Sequence, residues 1–260
     1  EKNIPLLQPE SLTVTPSFSS DNFGTENLKE ELKKYQTDLF LVASYGKIIP
    51  KNILDLPKFG SLNVHPSLLP KYRGASPIQA ALLAGDKKTG VTIMLMDEKM
   101  DHGPILSNTK CPILEKENFL GLHNRLAEIG AELLIKTIPE FLVGKITPAE
   151  QNHEVATFCK IIKKQDGEIN WQKSATEIYN QWLAYADWPG LYSQLTVNNK
   201  QLTIKFIEIN VAKNVTPTFR SDKKNSEFLV ADKKLYIAAG AGKLLEIIRL
   251  QPAGKNIMTA

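Results

Sequence analysis

The sequence predicts an α/β fold: a mostly parallel, doubly wound (Rossmann-like) sheet followed by a small β-barrel-like domain. Three observations carry that reading. Strand-like apolar runs alternate with amphipathic helical segments from about residue 25 to residue 141. The texture then changes, and few apolar residues fall in phase over 147–165. From Asp166 onward one helical stretch precedes a series of short, β-rich runs separated by turn residues.

The elements follow in order. Leu28, Leu32 and Tyr35 share one helical face in the segment from Thr25 to Tyr35. The continuous apolar run 38–46 (DLFLVASYG) fits a strand buried on both faces. Residues 61–65 (SLNVH) read as the next strand, stopped by Pro66. A helix over 77–84 is signalled by Ser76 at the N-cap, Pro77 at the first position and Gly85 as the stop. Residues 90–96 (GVTIMLM) form a strand that ends on Asp97. From about Phe119 to Phe141, Leu122, Leu126, Ile129, Leu133 and Phe141 make one helical stripe. The division is therefore 1–146 for the first domain, 147–165 for a linker and 166–260 for the second domain. Within the latter, a helix over 174–185 precedes strands at 191–197, 202–209, 227–231, 234–238 and 244–250.

Composition narrows the function. Hydrophobic residues at 42% and charged residues at 23% belong to an ordinary globular chain and exclude a disordered one. No run of about 18 apolar residues exists to span a bilayer. Cys111 and Cys159 lack metal or redox spacing, so free thiols in a reducing compartment are expected. The net charge is only +4, but residues 204–260 hold ten Lys or Arg against five Asp or Glu. That surplus permits a polyanionic partner and equally fits a solvated surface. His123 and His153 stand alone without ligand spacing, so no metal site is expected.

One constellation carries chemistry. Asn63 and His65 are two residues apart on a strand and project from one face at its C-terminal end. The strand 90–96 runs into DEKMDHG, expected to bring carboxylates to the same rim, with Asp101 able to fold back on His65. Ser67 is not on a nucleophile elbow. An amide can stabilise an oxyanion, an imidazole can donate or shuttle a proton, and an acid can set its tautomer and raise its pKa. Such a set needs a nucleophile from the substrate, which suits acyl transfer between two bound groups. At this level a strand-end Asn as turn former, a structural His and Asp101 as a turn residue remain open.

The stretch NVHPSLLP (63–70) with YRGASPI (72–78) resembles the signature of folate-dependent formyltransferases, and DEKMDHG (97–103) is similar to that family's second motif. SYGKIIP (44–50) resembles its pterin-pocket loop. ADWPGLY (186–192) and LQPAGK (250–255) are similar to C-terminal features of members that act on methionyl-tRNA. The resemblance implies a formyltransferase sheet with an OB-like β-barrel behind it. It implies Asn63, His65 and Asp101 as catalytic residues, with Asn63 and His65 on the oxyanion and Asp101 orienting His65 and helping take the amine's proton. Ser67, Leu68, Leu69 and Pro70 would contact the donor, 10-formyltetrahydrofolate, with Tyr45, Ile48 and Ile49 as pterin walls. The acceptor would be initiator methionyl-tRNA. An amino-sugar nucleotide, or water in a formyltetrahydrofolate hydrolase, is the alternative. Family members begin with a strand-loop-helix unit and a tRNA-contacting loop. The chain would start after both, near Asn3-Ile4-Pro5, and its sheet would lack the first strands. A monomer in the bacterial cytoplasm, rather than an organelle matrix, is expected.

Three further features bear on binding. Trp182, Trp188 and Tyr192 are candidates for base stacking or for packing at the helix-to-barrel junction. Lys205, Lys213 and Lys243 are candidate phosphate contacts. The segment AAGAGK (238–243) superficially resembles a phosphate loop but reads better as a hairpin turn.

Overall fold

The computed structural model describes residues 25–197, 200–212, 228–240 and 243–260. In chain order come α1 (Thr25–Lys33), β1 (Phe40–Val42), α2 (Lys51–Leu54), β2 (Ser61–His65), β3 (Arg73–Gly74), α3 (Pro77–Ala84), β4 (Lys88–Leu95), β5 (Ile105–Pro112) and α4 (Phe119–Leu142). After the two-residue β6 (Phe158–Cys159) come α5 (Ala175–Ala184), β7 (Leu191–Val197), β8 (Lys200–Val211), β9 (Phe228–Ala231), β10 (Lys234–Ala238), β11 (Leu244–Pro252) and β12 (Met258–Thr259). The expected segment Asn3–Pro9, Lys213 and the first residue of the strand expected at 227–231 lie outside the described residues. Two compact units emerge. One runs to Ala75 and continues through Gly90–Lys110 and Leu126–Phe158; the other takes Ser76–Thr89, Cys111–Arg125 and Cys159–Ala260.

The first sheet has the order β1-β2-β4-β5. β1 and β2 are parallel, with Val42 opposite Asn63. β2 and β4 are antiparallel, with Leu62 opposite Leu95 and His65 opposite Thr92. The Rossmann-like α/β sheet is present, as a mixed sheet rather than the mostly parallel one expected. The reason is local. The chain leaves β2 at its C-terminal end and starts β4 at that same end, so β4 must run against β2. β1 was expected to be buried on both faces, yet Leu41 is 53% exposed. Among the described residues β1 has a sheet neighbour on one side only.

Alternation along β2 decides which face is core. Leu62, fully buried, joins Ile93 and Leu106, and Val64, Leu133, Leu134, Ile138 and Phe141 pack against them. Burying a Leu of this size contributes about 2 kcal/mol. The α4 stripe is as expected, with Leu122 and Leu126 buried. Gly130 lets α4 approach closely, since a Cβ there would sit 3.0 Å from Val64 Cγ1 and 3.4 Å from Val91 Cγ1. With α4 over the Leu62–Val64 face, Asn63 and His65 are left for the opposite one.

Pro77 opens α3 and Gly85 (φ +69) closes it, donating its N–H to Leu82; Ser76 holds the N-cap position without a side-chain cap bond. In the second unit Ser174 and Glu177 form a reciprocal capping box that starts α5. The second sheet has the order β7-β8-β11-β10-β9, with β12 on β11, and its pairs are antiparallel. Between β10 and β11, Ala239 N–H reaches Lys243 C=O at 3.1 Å, which fits the expected hairpin; residues 241–242 are outside those described. Trp182 Nε1 donates to the Ile207 carbonyl at 3.2 Å, a packing role, whereas Trp188 is half exposed.

Candidate active site

Asn63 and His65 share the face of β2 that α4 leaves uncovered, and the loop after β4 supplies Asp101. Asn63 Nδ2 donates to Asp101 Oδ1 at 3.3 Å, and His65 Nδ1 lies 3.5 Å from that same oxygen. The expected trio therefore converges. The expected route does not hold. Because β4 runs antiparallel to β2, its last residues leave at the N-terminal end of β2 rather than at a shared rim. Asp101 reaches the site only because the loop 96–104 folds over the sheet face. Asp101 adopts φ +48 there, a left-handed conformation that Asp tolerates better than most side chains.

The tautomer of His65 follows from its partner. Nε2 lies 2.9 Å from the carbonyl oxygen of Tyr72, and a carbonyl only accepts, so Nε2 carries the proton. Burial pushes the His65 pKa below its ordinary value, outweighing the opposing pull of Asp101 and of the Tyr72 carbonyl. The expectation that the acid would raise this pKa is thus reversed in the net. Burial favours the neutral imidazole, in which Nδ1 presents a lone pair towards Asp101. Two acceptors face each other across 3.5 Å, a geometry that a proton would close.

Linkage gives this a stability consequence. The unfolded chain binds a proton at His65 more readily than the folded chain does, so stability rises with pH. Unfolding free energy should fall as pH drops below about 6.5, the ordinary imidazole range. His65→Gln should flatten that slope in denaturant titrations run at several pH values; an unchanged slope would contradict it.

Four groups that sequence reasoning missed complete the site. Gly74 N–H donates to Asp101 Oδ2 at 2.7 Å. Gly74 sits at φ +112, a conformation that favours glycine. The Tyr72 carbonyl fixes His65. Gln151 and Arg73 hold the Asp101 loop from behind. Gly74 and Arg73 lie inside the quoted YRGASPI stretch, so a signal was available. Gln151 lies in the expected linker and carried none.

The residues expected to contact a donor fall into two groups. Ser67 is buried with Oγ bonded to the Lys71 carbonyl at 2.5 Å, and Thr92 Oγ1 donates to the Ser67 carbonyl at 2.7 Å. Leu69 is buried, and its N–H donates to Thr92 Oγ1 at 3.2 Å. These bonds fix the shape of the 67–70 loop, with Leu68 and Pro70 half-buried. Tyr45 and Ile48 are exposed and Ile49 is half-buried, so the 44–50 loop offers uncovered apolar surface. Neither Cys111 nor Cys159 is in a disulfide. Lys205 and Lys243 are exposed. A cleft of about 710 Å³ in the second unit, lined by Leu82, Tyr179, Asn180 and Tyr236 among others, includes none of the trio.

Chemically, the arrangement offers an amide donor, an imidazole lone pair and a carboxylate around one point, with no nucleophilic side chain among them. It can polarise a carbonyl and collect a proton from an attacking group.

Comparison with known proteins finds relatives along the chain. The family model described as "Formyl transferase" matches residues 3–138, and "Formyl transferase, C-terminal domain" matches 161–260. A methionyl-tRNA formyltransferase of Listeria innocua is 40% identical over 261 aligned residues, covering 99% of this chain and 76% of that protein. Another, of Thermodesulfovibrio yellowstonii, is 42% identical over 258 residues with the same coverage. Among solved structures, an N-formyltransferase from Helicobacter canadensis in complex with folinic acid and dTDP-3-aminofucose aligns with a TM-score of 0.58 at 21% identity. That alignment covers 77% of this chain and 70% of the other. HypX from Aquifex aeolicus in complex with tetrahydrofolic acid aligns with a TM-score of 0.63 at 16% identity, over 89% of this chain and 39% of the other.

Proposed function

The chain belongs to the methionyl-tRNA formyltransferase family, and we propose that Asn63, His65 and Asp101 carry out its transfer of a formyl group to methionyl-tRNA. The observation that carries this assignment is the meeting of Asn63 Nδ2, His65 Nδ1 and both oxygens of Asp101 on one face of β2.

The α-amine of the aminoacyl group is the nucleophile, attacking the formyl carbon of 10-formyltetrahydrofolate. Asn63 donates its amide hydrogen to the formyl oxygen as that oxygen gains charge. Asp101 accepts the proton that the amine loses, directly or through water, and His65 Nδ1 shares it across the 3.5 Å gap. Once Nδ1 is protonated, His65 becomes a second donor to the same oxygen, the role that its spent Nε2 cannot fill. The Asp101–His65 pair then returns the proton to the departing donor nitrogen, which balances the exchange. Tyr45, Ile48 and Ile49 supply apolar surface for the flat ring of the donor, while Ser67 to Pro70 shape the loop beside it.

A methionyl-tRNA acceptor is favoured over an amino sugar. Relatives named for methionyl-tRNA align at about 40% identity, whereas the sugar enzymes share only the fold. The family spans at 3–138 and 161–260 support domains at 1–146 and 166–260 around a linker at 147–165, and the antiparallel sheet of the second is read as an OB-like barrel. The basic surplus of residues 204–260, including Lys205 and Lys243, would meet initiator tRNA phosphates. A monomer working in the bacterial cytoplasm completes the proposal.

The test is transfer of labelled formyl to charged initiator tRNA against free amino-sugar nucleotides. Phosphate contacts release counterions, so affinity for methionyl-tRNA should drop at least about tenfold between roughly 50 and 200 mM salt, with donor affinity nearly constant. A salt-insensitive tRNA complex, or preference for the sugar, would overturn the reading.

A further inference from the structure

We propose that Gln151 is the positioning residue for Asp101, an amide clamp braced by the buried Arg73; this rests on Asp101 acting as the proton acceptor. Gln151 Nε2 donates to two carbonyls of the loop, Asp101 at 3.0 Å and Gly103 at 2.7 Å. Its Oε1 accepts from Arg73 Nε at 3.2 Å and from Nη2 at 2.6 Å. Both amide hydrogens and the amide oxygen are thus committed inside the protein, and Gln151 and Arg73 are 5% and 3% exposed.

The clamp answers a local need. Asp101 sits at φ +48, and its loop is pinned at Gly103, where a Cβ would lie 2.0 Å from the Leu95 carbonyl oxygen. A left-handed non-glycine residue is strained and persists only where its surroundings hold it. Gln151 holds the backbone of Asp101, and Gly74 N–H, next to Arg73 in the chain, holds the carboxylate. The first grip is braced by the Arg73 side chain, and the second comes from the residue that follows it. The brace also returns to the start of the same loop. Arg73 Nη2 donates to His153 Nδ1 at 2.9 Å, the His153 ring stacks on His102 at 4.0 Å, and His102 Nδ1 lies 2.6 Å from Asp97 Oδ2.

Glu at position 151 would keep the Arg73 contact but turn oxygens towards two carbonyl oxygens. Asn would fall one methylene short. The decisive experiment compares Gln151→Glu, Gln151→Ala and Arg73→Lys in steady-state formyl transfer, each alone and combined with Asp101→Asn. A misplaced acceptor predicts a kcat loss of about 10- to 100-fold. KM for donor and for methionyl-tRNA should stay within about twofold, and Glu should impair as much as Ala. In the Asp101→Asn background the Gln151 and Arg73 changes should add little, because they act through that carboxylate. An unchanged kcat for Gln151→Glu, or equal losses in both backgrounds, would overturn the proposal. Should Gln151→Glu not fold, Arg73→Lys carries the same non-additivity test. Near-wild-type activity of Asp101→Asn by itself would instead remove the underlying assignment, so the two failures are told apart.

Discussion

Asp101→Asn should lower kcat for formyl transfer by about 10³-fold, within the range associated with losing a positioned general base. Asn is nearly isosteric, so one side-chain oxygen can still accept from Gly74 N–H, the 2.7 Å contact that fixes the side chain. What disappears is an oxygen able to take a proton beside His65 Nδ1, 3.5 Å away. The neutral imidazole cannot substitute alone. Burial already disfavours its charged form, and removing the neighbouring carboxylate removes the group that opposes that shift. Donor affinity should change less than about threefold, since Asp101 touches β2 and Gly74 rather than the apolar loop at 44–50. Rapid-mixing single-turnover measurements would separate this from slow product release. A loss confined to KM would mean that Asp101 helps bind the donor rather than move a proton.

Much of this site was legible in the sequence, and what was not has physical causes. Asn63 and His65 announced themselves by period-two spacing on a strand stopped by Pro66. Helix α3 was bounded by Pro77 and Gly85, residues whose backbone preferences leave few alternatives. The direction of β4 was illegible because the connection between residues 65 and 88 is compatible with either orientation. The choice depends on where the chain turns back, not on its composition. β5 was missed because it lies at the edge of the described sheet and buries only Leu106 and Cys111, which are out of period-two phase with each other, so no strand pattern shows. The net depression of the His65 pKa was illegible for a related reason. Sequence names the partner Asp101 but not the depth of burial that outweighs it. Gln151 carried no signal at all, because a polar residue in a polar stretch becomes distinctive only when both ends of its amide are seen to be engaged.

Asn63→Ala should cost about 10²- to 10³-fold in kcat, the usual consequence of deleting one oxyanion donor. Asn63→Asp should cost at least as much. The strand itself would survive either change. Residue 63 is held by backbone pairing on both sides, opposite Val42 in β1 and Met94 in β4, and its side chain points away from the Leu62–Ile93–Leu106 core. Thermal unfolding should therefore shift by only a few degrees while activity collapses. The two variants differ in what they leave behind. Alanine removes the Nδ2 contact to Asp101 Oδ1, a 3.3 Å bond, and leaves room for water to donate in its place. Aspartate places a second carboxylate against Asp101 and opposite the developing negative charge, so repulsion adds to the lost hydrogen bond. Acidifying the medium should slow the Asp variant less than the Ala variant, because protonation there also relieves that repulsion. Equal pH dependence in both would show that Asn63 does not stand between the Asp101 carboxylate and the reacting carbonyl.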